Sequence, residues 1–213
     1  MESISAETYD QLICSATILE KDGHGEKVLL TEDGSIVKIF RLKRLLSGAI
    51  FYPYVRRFSD NAKRLQQRDV LTIDIMKLGR CRQPKRDLVW YRPIAGQTFR
   101  DYCQQNGMDS MVESFARFIA LLHHKGILFR SIHWGNIIVT DELDLGLIDI
   151  ADIRFYRRSL TLKQRQRNFR HMLRYAVDLC FFNENSTLFW SVYQKSSHMM
   201  AEQCQQLQNS LAE

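Results

Sequence analysis

Asn136 and Asp149 stand out first, because an amide oxygen and a carboxylate offered from neighbouring segments suit a hard divalent cation. The stretch Phe129-Arg130-Ser131-Ile132-His133-Trp134-Gly135-Asn136 runs into the apolar Ile137-Ile138-Val139, and Leu147-Ile148 runs into Asp149-Ile150-Ala151-Asp152. Read as the arms of a hairpin, these segments put Asn136 at the start of one strand and Asp149 at the end of the other. Mg2+ takes oxygen ligands and shares them with the phosphates of a nucleotide, so the pair points to a phosphate-bound metal. Lys38 adds the opposite charge. Ser35-Ile36-Val37-Lys38 places an ammonium in an apolar strand, where burial calls for an anion such as phosphate. Three features far apart in sequence thus fit one nucleoside triphosphate. Each also has a plainer reading: Lys38 as an edge-strand lysine reaching water, Asp149 as the cap of a turn, Asn136 as a partner for loop backbone groups.

The elements that must position these residues are legible in outline. Residues 17–20, 27–31 and 35–41 are rich in Ile, Val and Leu and are separated by Asp22-Gly23-His24-Gly25 and Glu32-Asp33-Gly34, which is hairpin chemistry. They predict a small antiparallel meander carrying Lys38. Residues 42–67 turn basic, with Phe58, Ala62 and Leu65 at helical spacing, and 70–78 and 87–92 return to strand composition. Pro93-Ile94-Ala95-Gly96 breaks any regular element and sets a boundary: a sheet with one helix in 1–95, a mainly helical part in 96–213. In the second part, 98–105 and 110–124 read as helices, the latter with Met111, Phe115, Phe118, Ile119 and Leu122 on one face and Gly126 closing it. Strands at 136–139 and 145–148 form the hairpin, and 160–182 and 186–211 read as two helices broken at Asn183-Glu184-Asn185. The expected architecture is α+β with two lobes. Trp134 and the Phe115/Phe118 stripe read as core.

Composition narrows the class. With 213 residues, 45% of them hydrophobic, and only three Pro, the chain can bury a sizeable core. Cys14, Cys81, Cys103, Cys180 and Cys204 are far apart and never in a CxxC pair, so neither a disulfide framework nor a zinc site is expected, and a reducing cytoplasm is the simpler home. The first ten residues carry Glu2, Glu7 and Asp10 without Lys or Arg, the wrong charge for a secretory signal. The best apolar stretches, 12–19 and 49–55, fall well short of the ~20 residues of a membrane span, so the chain is expected to be soluble and at most peripheral to a membrane. The net charge is +6, yet Arg154 to Arg174 alone holds +8 with no acid, leaving −2 for the remainder. Arg154, Arg157 and Arg158 follow the Asp149 turn and are the expected contacts for an anionic partner, a phosphorylated substrate or a membrane surface; the later arginines read as the solvated side of a helix. Nucleic acid is not expected, since no zinc-finger spacing or aromatic RNA-binding signature accompanies the charge.

The order strand hairpin, strand Lys, helix, hinge, helix, polar loop, Asn, Asp resembles the protein-kinase-like fold. In particular it is similar to small bacterial lipopolysaccharide core (Kdo/heptose) kinase-like proteins, including those called toluene-tolerance proteins. Lys38 matches the strand lysine of Val-Ala-Ile-Lys, Arg130 to Asn136 match the catalytic loop His-Arg-Asp-Leu-x-x-x-Asn, and Asp149-Ile150-Ala151 match Asp-Phe-Gly. The resemblance implies a sheet-plus-helix N-lobe and a helical C-lobe, with ATP and Mg2+ as cofactors. It implies Lys38 on the phosphates, Asn136 and Asp149 on the metal, Arg130, Ser131 and His133 at the acceptor, and an anionic envelope glycolipid as that acceptor. Two departures qualify it. Ser131 stands where kinases carry the aspartate that accepts the substrate proton, and a hydroxyl only orients a water or an alcohol near pH 7. His133 is the nearest substitute base, or else a hydrogen-bonding loop residue. The Gly-rich phosphate loop is reduced to Asp22-Gly23-His24-Gly25-Glu26, with acids where phosphates would lie. Asp60 is the nearest carboxylate for Lys38 in the expected helix, and Asp152 either joins the metal or binds the loop backbone. The alternative is therefore a pseudokinase that keeps the fold and acts as a binding or regulatory module for envelope biosynthesis.

Overall fold

The computed structural model describes residues 1–41 and 53–212. The basic stretch beginning at Leu42 and most of the apolar stretch at 49–55 lie outside the described residues. The chain divides into two compact units, Met1–Ile94 and Ala95–Glu213.

The first unit contains β1 (Glu2–Ile4), α1 (Ala6–Ser15), β2 (Thr17–Asp22), β3 (Gly25–Leu30), β4 (Ile36–Arg41), α2 (Tyr54–Gln66), β5 (Leu71–Thr72), β6 (Asp74–Cys81) and β7 (Arg86–Arg92). Six strands build one sheet in the order β1-β6-β7-β4-β3-β2, antiparallel throughout except for β1 against β6. The alternation of β4 decides where Lys38 goes. Val37 and Ile39 point to one face, into a cluster with Tyr9, Leu29, Cys81 and Leu88 that Leu12 and Ile13 of α1 help to cover. Lys38 and Phe40 point to the other face, which α2 covers: the Phe40 and Phe58 ring centroids are 5.7 Å apart. Helix α2 buries Val55, Phe58, Ala62 and Leu65, one stripe at helical spacing.

Two elements here escape the sequence reading, β1 and α1. Helix α1 starts because Ser5 Oγ accepts the Thr8 N–H at 3.0 Å, an N-cap that settles one of the first turn's unpaired donors. The single strand expected over 70–78 is divided into β5 and β6, with the buried Ile73 between them.

The second unit contains β8 (Gln97–Thr98), α3 (Phe99–Asn106), α4 (Val112–His124), β9 (Ile127–Phe129), β10 (Ile137–Val139), β11 (Leu145–Leu147), β12 (Ile153–Phe155), α5 (Leu162–Met172), α6 (Ala176–Glu184), α7 (Ser186–Ser197) and α8 (Ala201–Ala212). Strand β10 pairs antiparallel with β11 and β8, and β12 pairs antiparallel with β9. The architecture is α+β, with an antiparallel-rich sheet and eight α-helices among the described residues. The core is aromatic. Phe99 stacks on Phe115 at 4.3 Å, the fully buried Trp134 sets its edge against both, and Phe189 of α7 closes on Phe115 at 5.8 Å.

The two helices expected over 160–182 and 186–211 are in fact four. Helix α5 stops at Met172 and α6 restarts at Ala176, while His198 turns left-handed at φ 53° and ends α7. Neither extra break carries a Gly or Pro, so the usual stop signals are missing. Among the described residues, no helix is long and apolar enough to cross a membrane.

Candidate functional site

The hairpin of β10 and β11 sets the geometry. Ile137 pairs with Leu147, and the ladder continues one step as Ile148 donates its N–H to Asn136 O at 3.0 Å. Asn136 and Asp149 therefore emerge at the same end of the hairpin, from its two arms. Asn136 is buried and closes a short turn, its N–H donating to His133 O at 2.8 Å and its Nδ2 donating to Ser131 O at 3.0 Å. That second bond orients the amide, with Nδ2 on the loop and Oδ1 turned away from it. Asp149 is half-buried and left-handed, at φ 51° and ψ 43°. A non-glycine residue held there costs about 1–3 kcal/mol, and such positions gather at functional sites. The donor set, an oriented amide oxygen and a carboxylate, fits Mg2+. Among the described residues, no group of three or more His, Cys, Asp or Glu side chains is placed to hold a metal ion. A cation at this hairpin end thus needs further oxygens, which phosphate and water supply.

Both ends of the loop before Asn136 are tied down. Arg130 donates its N–H to Asp152 O at 3.0 Å, and its Nη1 lies 3.5 Å from Asp152 Oδ1, so Asp152 holds the loop. On the other side, Phe129 O accepts from Asn168 Nδ2 at 2.6 Å, the last link of a buried chain. Arg165 Nη1 donates to Tyr193 Oη at 2.9 Å, Tyr193 Oη sits 2.7 Å from His123 Nδ1, and His123 Nε2 sits 2.8 Å from Asn168 Oδ1. One proton arrangement satisfies every link: Tyr193 donates to Nδ1, and Nε2–H donates to Asn168. Burial holds the His123 imidazole neutral, pushing its pKa down to about 3. Arg165 corrects the reading of the later arginines as a solvated helix side, because it is only 4% exposed. The sequence reading missed His123, Asn168 and Tyr193; the available signal was a histidine on the buried face of α4.

His133 leaves the loop in another direction. Its ring stands edge-on to Tyr175 at 5.4 Å, and its buried Nδ1 has no hydrogen-bond partner. Burial, then the guanidinium groups of Arg174 and Arg100, hold the His133 pKa below its ordinary value, with Asp178 and Asp149 pulling the other way. Arg100 Nε and Nη2 donate to the two carboxylate oxygens of the fully buried Asp178 at 2.7 and 2.8 Å. Ser131 is half-buried.

In the first unit, Lys38 is half-buried and its Nζ lies 5.8 Å from the Phe58 ring centroid, which directs the ammonium at α2, the helix that carries Asp60. The turn 22–26 is occupied by its own acid. Asp22 Oδ1 accepts the His24 N–H at 2.8 Å, its carboxylate pairs with Arg41 and Lys27, and Lys27 also pairs with Glu20 at 2.9 Å. The backbone bond from His24 is the largest single cause holding the Asp22 pKa low, and Arg41 and Lys27 add to it.

Arg154, Arg157 and Arg158 are exposed. Strand β12 begins beside Asp152 and ends where Tyr156 donates its N–H to Gly126 O at 2.8 Å. Arg154 lies on this strand, and Arg157 and Arg158 follow its end.

No protein-family model matches the chain, and no curated protein sequence matches it. Solved structures do match. One is the crystal structure of WbdD, similar over 87% of this chain and 42% of the WbdD chain, with a TM-score of 0.52 and 16% sequence identity. The protein thus spans less than half of WbdD, and at that identity the likeness is one of fold.

Proposed function

We propose that this protein is a kinase-like phosphotransferase that binds ATP with Mg2+ and acts on an anionic envelope glycolipid such as lipopolysaccharide. The observation that carries the reading is the exit of Asn136 and Asp149 from one end of the β10–β11 hairpin, with the Asn136 amide oriented by Ser131 O. The motif resemblance and the likeness in fold to WbdD support it. Bound Mg-ATP supplies the phosphoryl group to be transferred. Asn136 Oδ1 and the Asp149 carboxylate offer the metal its protein ligands, and Lys38 brings an ammonium to the phosphates. Ser131 orients the acceptor hydroxyl, and Arg130, held by Asp152, keeps the loop in place. The missing carboxylate at Ser131 slows such an enzyme without forbidding the reaction. A positioned base contributes about 10²–10⁴-fold, whereas phosphoryl transfer through a loose transition state depends mainly on positioning and charge neutralisation.

Thermal unfolding with and without Mg-ATP tests the reading. Ligand at 100 times its dissociation constant stabilises by about 2.7 kcal/mol, so the expected result is a rise in Tm with Mg-ATP that EDTA removes. No shift at millimolar nucleotide overturns it in favour of the second reading, a pseudokinase acting as a binding module. One observation favours that alternative: Asp22 has taken the His24 N–H that a phosphate would need.

A further inference from the structure

The second unit holds a cavity of about 340 Å³ that shares no residue with the 129–136 loop or with Asp149. Four helices supply its polar wall: His124 from the end of α4, Thr161 and Arg165 from the cap and second turn of α5, Ser197 and His198 from the end of α7, and Gln203 from α8. Leu160, Leu162 and Met199 add an apolar side. Arg165 is the unusual member of this wall, because it is 4% exposed and its partners are all neutral. Its Nε donates to Leu160 O at 3.0 Å, its Nη1 to Tyr193 Oη at 2.9 Å and its Nη2 to Ser159 Oγ at 2.8 Å. Among the described residues no carboxylate pairs with it. A guanidinium carries five N–H groups, so two remain, one on each Nη. A charge buried this deeply is costly without a counter-ion, and an anion in the cavity would supply one. The wall also holds idle donors. Among the described residues the imidazoles of His124 and His198 and the Gln203 amide make no hydrogen bond, and the two rings meet edge to face with centroids 5.5 Å apart. The surrounding charge has the same sign: Lys125, Arg157, Arg158, Lys163, Arg167 and Lys195 lie within two positions of a residue that lines the cavity, against one carboxylate, the exposed Glu202.

We propose that this cavity binds a phosphate group, free or on a small monoester, between Arg165 and the His124–His198 pair. A phosphate offers oxygens on several sides, which suits donors arriving from four helices, and charge-assisted hydrogen bonds to it are the strong ones. The volume falls within the range of ligand pockets, about 300–1,000 Å³, and leaves room for a body beyond the phosphate, which the Leu160, Leu162 and Met199 side would cover. A metal ion is the other occupant that two imidazoles suit, but the guanidinium in the same wall repels a cation. Neither Mg2+ nor nucleotide enters this site, so it stands or falls apart from the kinase reading.

The test is a calorimetric titration of inorganic phosphate, and separately of glycerol 3-phosphate, into the whole chain at neutral pH and constant ionic strength, without nucleotide or magnesium. Arg165 also anchors the buried chain that ends at Phe129 O, so its removal endangers the fold. The variants are therefore His124→Ala and His198→Asn, combined in one chain: both positions are exposed, and Asn tolerates the left-handed backbone at 198. The double variant is expected to bind phosphate at least ~10-fold more weakly, the loss for one hydrogen bond to a charged group. In the wild type the imidazole ¹⁵N signals of His124 and His198 should move with phosphate along one saturation curve. Arg174→Gln changes an exposed arginine that does not line the cavity, and should bind phosphate as the wild type does. Tighter binding of glycerol 3-phosphate than of inorganic phosphate supports the site with a monoester as its ligand; equal or weaker binding supports it with free phosphate. Absence of saturable binding of either at tens of millimolar, equal affinity in the double variant and wild type, or a loss as large in Arg174→Gln would each overturn the proposal. So would Zn2+ binding that depends on His124 and His198 in a chain that ignores phosphate.

Discussion

At the scale of single residues, the proposed chemistry turns on what each side chain can do with a proton or a charge. If Asp149 holds the metal and Lys38 the phosphates, Asp149→Asn and Lys38→Met should each raise the Mg-ATP dissociation constant at least ~10-fold in a calorimetric titration, since each deletes a full charge facing a polyanion. Unchanged affinity removes that residue from the site. Ser131 yields a gain-of-function expectation: Ser131→Asp restores a proton acceptor and should raise phosphoryl transfer by about 10²-fold or more in a radiolabel assay. A wild-type rate that Ser131→Asp leaves unmoved sinks the view that this position limits the reaction. His123 governs stability instead. Its folded pKa is about 3 against an ordinary 6.5, so between those values the unfolded chain binds the extra proton and stability rises with pH. The contribution is complete above pH 6.5 and is withdrawn on acidification toward pH 3, at up to ~1.4 kcal/mol per pH unit. His133 and His171 are lowered in the same direction and add to the slope. Urea unfolding between pH 7 and 4.5 should show this loss of stability, and His123→Gln should flatten it; an unflattened profile contradicts the neutral His123 in the chain from Arg165 to Phe129 O.

Elements convert these residues into a site, and Gly126 shows how tightly. It sits at φ 68°, and a Cβ there would lie 2.5 Å from Arg158 O and 2.6 Å from Tyr156 O, both backbone atoms in the turn that follows β12. Gly107 is also left-handed, at φ 77°, but has open space around it. Gly107→Ala should therefore cost the ~1–2 kcal/mol of conformation alone, and Gly126→Ala clearly more, lowering Tm by at least about 4 °C further; equal Tm values for the two variants would falsify this account of the β9–β12 corner. The sequence announced elements whose signals are local. The turns at 22–25 and 32–34 delimit β2, β3 and β4, the stripe of Phe58, Ala62 and Leu65 marks α2, and Asn106-Gly107 ends α3. It did not announce β9 and β12, because three-residue strands paired from Phe129 to Ile153 depend on tertiary contact rather than on composition. The breaks after Met172 and at His198 were hidden for the same reason. Asn136, Asp149 and Lys38 were legible as chemistry because their types are unusual beside apolar strands. Arg100 and Asp178 were not, since their pairing spans 78 positions and neither is exceptional alone.

At the scale of the whole molecule, the decisive quantity is where the positive charge is exposed. The segment from Arg154 to Arg174 holds +8 in sequence, but Arg165 spends its guanidinium on Leu160 O, Tyr193 Oη and Ser159 Oγ inside the second unit. Arg154, Arg157, Arg158, Lys163, Arg167, Arg170 and Arg174 remain exposed, a cationic surface on a chain whose remainder carries −2. Such a surface attracts any polyanionic interface, and the attraction fades as the Debye length shortens, from ~10 Å at 0.1 M salt to ~3 Å at 1 M. Each basic side chain near an anionic membrane is worth about 1 kcal/mol, so changing Arg154, Arg157 and Arg158 together to Gln should weaken adsorption to phosphatidylglycerol-containing vesicles by up to about 100-fold at low salt. The same variant should keep its far-UV circular dichroism and its Mg-ATP stabilisation, because these three side chains lie on the surface and take no part in the Asn136–Asp149 hairpin end. Vesicle co-sedimentation across a salt series reads the outcome directly. Adsorption equal to wild type at both low and high salt would show that β12 and the turn after it are only a solvated face, and the proposal of an anionic surface as a partner for this part of the chain would fall.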